Sequence, residues 1–243
     1  MTDIYKAPTA DFSAPAPTDQ SEAIARAISG QFEFSISSML SEAWEKIHGN
    51  KGRIWVAVIL YLIVALPIYW VLDFFLDEGM FAKCLRFVVT NSVDLALLTG
   101  LVMLGVKLAS SVNAEAIEVY AYIEYFIKLV VAYMMTTALI IVGLVLLVLP
   151  GIYLAVAYSL TPLLIVDKKM SPWQAMEASR KAVTHCWFRA FFLFLIFLLI
   201  LVLSALPAGI GLIWTIPMAV LLHGIAYRNI FGYQRTPEQT PTT

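Results

Sequence analysis

Of 243 residues, 60% are hydrophobic and 14% charged, against roughly 25% charged in a soluble domain, and the mean hydropathy of +0.82 excludes an ordinary soluble globule. With 16 Lys and Arg against 17 Asp and Glu, the net charge of -1 leaves no basic excess to neutralise a phosphate backbone, so nucleic acid is not an expected partner. Two cysteines support neither a disulfide framework nor a Cys-rich zinc site.

In chain order, residues 1–32 carry Pro8, Pro15 and Pro17 among scattered polar residues and read as a disordered tail without a secretory signal. Ile36, Met39, Leu40, Ala43, Trp44 and Ile47 then fall on one helical face, as in an amphipathic helix lying at a membrane surface. Residues 54–72 are 19 positions without a charge, and 87–106 carry only Asp94. Charge-free runs of 38 residues follow at 129–166 and again at 190–227. A helix needs about 20 apolar residues to cross a hydrocarbon core of about 30 Å. Each long run therefore holds two spans, broken at Pro150-Gly151 and at 205–211, where Pro and Gly allow reversal. The expected architecture is an all-α polytopic membrane protein. Its six spans run over 54–73, 87–108, 127–149, 151–166, 189–206 and 211–231, making three hairpins within a membrane domain at 33–233. Residues 114–124 and 171–187 read as further interfacial helices, and 234–243 as a second disordered tail.

Six spans put both termini and the loops 107–128 and 167–189 on one side. That side holds every Lys and Arg except Lys83 and Arg86, so it is expected to be cytoplasmic. The location implied is a cytoplasmic (inner) membrane.

Leu149-Pro150-Gly151-Ile152, the run from Leu160 through Pro162 to Met170, and Ala175-Met176-Glu177-Ala178-Ser179-Arg180-Lys181 resemble a bacterial membrane-protein signature. They are similar to uncharacterised YciC-like inner-membrane proteins and to the membrane domain of glycerophosphoryl diester phosphodiesterases. The resemblance implies the six-helix fold, with Pro150, Gly151 and Pro162 setting it, and little else. The phosphodiesterase chemistry belongs to a soluble domain that has no counterpart here.

Few residues inside the spans could carry chemistry. Asp94 is the acidic residue at depth, and it reads either as a functional carboxylate or, with Asn91 and Ser92, as the cap of a span that begins later. Pro162 breaks its helix beside Tyr158 and Thr161, either forming a polar substrate site or serving as a packing kink whose freed carbonyl is met by a neighbour. Ala96 with Gly100 and Ala155 with Ser159 are small residues at packing spacing. Lys168, Lys169, Arg180 and Lys181 could hold anionic lipid head groups. His48, His185 and Cys186 have no metal-ligand spacing, and no phosphate loop or nucleophile elbow occurs, so no cofactor or catalytic activity is expected. The reading is a non-enzymatic membrane component, structural, lipid-contacting or regulatory, with membrane lipids and other membrane proteins as partners. The alternative is a small permease for a lipid or apolar solute, which needs a polar cavity lined by Asp94, Tyr158 and Thr161.

Overall fold

The computed structural model describes residues 20–76, 79–206 and 208–233. Residues 1–19 and 234–243 of the expected tails, the turn residues 77–78, and Pro207 of the third turn lie outside the described residues. All regular structure described is helical: α1 (Gln20–Ile28), α2 (Ile36–Phe75), α3 (Met80–Ala109), α4 (Phe126–Leu146), α5 (Val148–Ala157), α6 (Thr161–Asp167), α7 (Pro172–Ala205) and α8 (Leu212–Phe231), with 3-10 turns at Ala116–Tyr120 and Ile123–Tyr125.

Five stretches among the described residues are long and apolar enough to cross a membrane: Ile36–Phe75, Met80–Ala109, Ala116–Leu146, Val148–Asp167 and Pro172–Ala205. The expected sixth span, α8, is not among them. Its 20 residues include Thr215, Pro217, His223, Arg228 and Asn229, which dilute its apolar character. It is also a central packing element. Gly105 of α3 sits beneath the Val220 carbonyl, and Gly224 lies against the Gly105 and Val106 backbone, so neither position has room for a Cβ. Helices in lipid gain little from hiding apolar surface and rely on such close approach, so glycines placed face to face hold this crossing together. Around it Met103, Leu104, Leu221, Ile225, Tyr227 and Phe231 are fully buried.

The interfacial helices differ from expectation in three ways. The segment 36–47 is not separate from its span: α2 runs unbroken for 40 residues, about 60 Å at 1.5 Å per residue. Gly49 and Gly52 face open space, so nothing there forces a break, and Met39, Ala43 and Ile47 pack into the protein rather than onto lipid. Residues 114–124 form two 3-10 turns in place of an α-helix, with Val119 buried and Ile117 exposed. The helix starting at Pro172 is capped by Ser171 and Gln174 as its sequence predicts, and it continues into the apolar segment through a bend at Cys186. From Phe192 to Leu203 that segment exposes seven large apolar side chains besides Ile196, and buries Leu193, so it faces lipid.

Residues 20–28, placed by composition in the disordered tail, are helical instead. Ala23 and Ala27 are buried, the His185 ring contacts the Ile28 carbonyl through Nε2 at 2.9 Å, and Arg189 donates to the Phe34 carbonyl at 3.0 Å. These supports come from α7, more than 150 residues away, which local composition cannot register.

The second reversal lies three residues before its predicted place. Leu147 alone is extended between α4 and α5, and Pro150 occupies the first turn of α5, where its missing N–H costs nothing. Gly143 and Gly151 face each other across the hairpin with no room for a Cβ on Gly151. In the third turn Ala208 and Gly209 adopt positive φ of 50° and 76°, which glycine accepts without strain.

Candidate functional site: polar groups within an apolar bundle

Asp94 lies fourteen residues into α3, whose N-cap is Gly79. The capping alternative therefore fails: Asn91 and Ser92 bond back to the Phe87 and Val88 carbonyls at 2.7 Å each, as mid-helix residues do. The carboxylate is half-buried and accepts two phenols from α2, Tyr61 at 2.6 Å and Tyr69. Tyr61, Ala65 and Tyr69 form an i, i+4, i+8 ridge. Fully buried Ala65 lets α3 approach while the tyrosines reach round it from either side. Charge-assisted bonds of this kind offset much of the cost of holding a carboxylate at membrane depth. The sequence contained this signal in its eight-residue tyrosine spacing, which acquires meaning only once α2 and α3 are known to be antiparallel neighbours.

Pro162 sits in the first turn of α6, which begins at Thr161 after a break at Tyr158–Leu160, so the expected kink is present. The Ala157 carbonyl accepts Ser179 Oγ at 2.6 Å, and the Tyr158 carbonyl accepts the Thr161 N–H at 3.1 Å. That is the packing kink: the freed carbonyls are met from within the fold. Thr161 is 1% exposed and its hydroxyl has no hydrogen-bond partner among the described residues. Asp94 binds residues of α2 while Tyr158 and Thr161 belong to the α5–α7 region. A surface depression of about 430 Å³ is lined by Gly52, Arg53, Val56, Asn113, Ala114, Glu115 and Ala116. None of the three expected cavity residues lines this depression.

Of the basic residues expected to meet lipid, Lys168 is turned inward. Its Nζ donates to the Gly232 carbonyl at 3.3 Å and lies 3.1 Å from Asp167, which also accepts Tyr227 at 2.6 Å. Lys169 and Lys181 are exposed and Arg180 is half-buried, with Lys181 also paired to Glu177 at 2.8 Å. His48 and His185 each contact a backbone carbonyl of their own surroundings, and Cys186 is buried.

A larger polar assembly, which charge counting treated only as a topology signal, joins the ends of α2, α3 and α8. Arg228 makes a bidentate pair with Glu42, 2.7 Å for each nitrogen, and donates to the Ala109 carbonyl at 2.6 Å. Lys46 extends the assembly to Ser111 at 3.2 Å, and Lys107 pairs with Glu118. Tyr233 lies nearby, its phenol pushed up to about 12 by burial, with the charge of Lys107 acting against that rise.

Long apolar helices whose polar groups are mostly met from within the fold define a multi-pass α-helical membrane protein. Among curated proteins the chain is similar to a UPF0259 membrane protein of Pectobacterium carotovorum subsp. carotovorum (strain PC1), at 34% identity over 87 residues, 35% of each chain. The chain thus matches about a third of the length of that relative. This likeness supports a place among uncharacterised bacterial membrane proteins. No family model and no solved structure matches the chain.

Proposed function

We propose that the chain is a non-enzymatic integral protein of a bacterial inner membrane, of the YciC-like type, serving as a structural, lipid-contacting or regulatory component of the envelope. Its helices form three hairpins, six membrane-inserted segments in all, whose open ends share the cytoplasmic side with both termini. The distribution of Lys and Arg supports that orientation. Lipids are the first partners, met by the apolar faces of α2, α4 and α7 and, at the head groups, by Lys169, Arg180 and Lys181.

The observation that carries this reading is the internal satisfaction of Asp94. A carboxylate that receives two phenols from the adjoining helix is held as a structural tie, whereas a transport site keeps its polar groups facing a water-filled path. The test is thiol labelling of Asp94→Cys, with Leu97→Cys as its buried neighbour, in a Cys84→Ala, Cys186→Ala background. A membrane-impermeant maleimide added outside intact cells is expected to label neither position. Labelling of position 94 alone would reveal an aqueous path and replace this reading with the permease.

A further inference from the structure

The turn between α4 and α5 differs in chemistry from the turn between α2 and α3. The α2–α3 turn is flanked by Asp73, Lys83 and Arg86, with an ion pair from Arg86 to Asp73 at 2.7 Å, as befits a turn in water. From Ala138 to Ile152, in contrast, no side chain is polar. Val145, Leu146, Leu147, Val148 and Leu149 at the tip are between 62% and 81% exposed, so no other part of the protein covers them. The backbone of the tip is tied at one point. Its one non-helical residue, Leu147, donates its N–H to the Gly143 carbonyl at 3.0 Å, and its carbonyl accepts the Gly151 N–H at 3.5 Å.

The tip also lies close to charge. Tyr153, only a few residues beyond it, bonds Thr184 at 2.6 Å, and its carbonyl accepts the Trp187 indole at 3.3 Å. Thr184 and Trp187 are on the part of α7 that carries Glu177, Arg180, Lys181 and Arg189. Were the hairpin to cross completely, Tyr153 would stand at the far face and draw these four charges through the hydrocarbon, at several kcal/mol each. Tyr153, Trp187 and Phe191, with the last two stacked at 5.2 Å, instead have the composition of an interfacial aromatic belt. From Tyr153 to Leu147 is six residues, a rise of about 9 Å, well short of the ~30 Å core.

We infer that the α4–α5 hairpin is re-entrant: its apolar tip ends among the acyl chains of the leaflet that its aromatic collar touches, and does not reach the opposite surface. The occupant of this surface is lipid hydrocarbon. The orientation proposed above enters only in naming that leaflet as the cytoplasmic one, and both ends of the hairpin stay on the same side whether or not it crosses, so the charge asymmetry is preserved.

The experiment uses the full chain with Cys84→Ser and Cys186→Ser, carrying Leu147→Cys or Leu149→Cys, in right-side-out spheroplasts and in inverted vesicles. Met80→Cys marks the α2–α3 turn and Lys181→Cys the α7 surface. A membrane-impermeant maleimide is expected to lose all reaction with positions 147 and 149 in both preparations and to regain it in detergent. A nitroxide at Leu147→Cys is expected to collide more with oxygen than with a water-soluble nickel chelate. Reaction of position 147 or 149 from either aqueous side, or preferential collision with the chelate, overturns the proposal. Met80→Cys and Lys181→Cys reacting on the same side would overturn the orientation instead, a result read independently of the hairpin.

Discussion

Single residues decide whether polar atoms are tolerable inside this bundle. Asp94→Ala leaves the phenols of Tyr61 and Tyr69 without their acceptor, and the expected loss is about 1–3 kcal/mol, measured as unfolding in mixed detergent micelles. Tyr61→Phe with Tyr69→Phe should cost more than Asp94→Asn, because the double change strands a carboxylate whereas the asparagine keeps one acceptor for the phenols. The reverse order would mean that the tie is not electrostatic. Asp94 could be found from sequence, because one acid in an apolar run stands out. Its partners could not: tyrosine is commonplace at membrane depth, and the pairing depends on which face of α2 meets α3. For the same reason Lys168 resembled its exposed neighbour Lys169, although the chain end at Gly232 folds back to hold it.

At the level of elements, helix positions could be read closely because the length needed to cross hydrocarbon is a local requirement, written in the gaps between charges. The helix α3 covers the expected 87–108 and starts only seven residues earlier. What the charge gaps could not show is which elements pack on which. The α1 segment is helical because α7 supports it, and α8 is a packing helix because α3 offers Gly105 beneath it. Glycines separate the two situations experimentally. Gly224→Ala places a methyl group against the α3 backbone and should destabilise the fold by about 1–3 kcal/mol. Gly49→Ala, on α2 where nothing lies within 4 Å, should be neutral or stabilising by up to about 1 kcal/mol. Detergent unfolding midpoints of the two variants check both signs, and equal effects would refute the close crossing of α3 and α8.

For the whole molecule, the Arg228–Glu42 pair fastens the last helix to the first long one across 186 residues of chain. A double-mutant cycle on Arg228→Ala and Glu42→Ala is expected to give a coupling of about 1–2 kcal/mol, discounted for the partial exposure of both side chains. A coupling near zero would show that the glycine crossing alone holds α8 in place. The comparison of single and double variants also removes the separate contribution of the Ala109 carbonyl, which Arg228 meets as well.

The uninterrupted length of α2 has a mechanical consequence. At about 60 Å it is twice as long as the hydrocarbon layer is thick, so one rigid rod carries Asp73 at one end and the Arg228 clasp near the other. Pro67, which cannot donate a helical bond, is the natural point of flexure, and it lies near the Asp73 end, just before Tyr69. Below that point the rod has no joint, so any tilt imposed by the bilayer is delivered undiminished to the clasp as a lever delivers torque to its fulcrum.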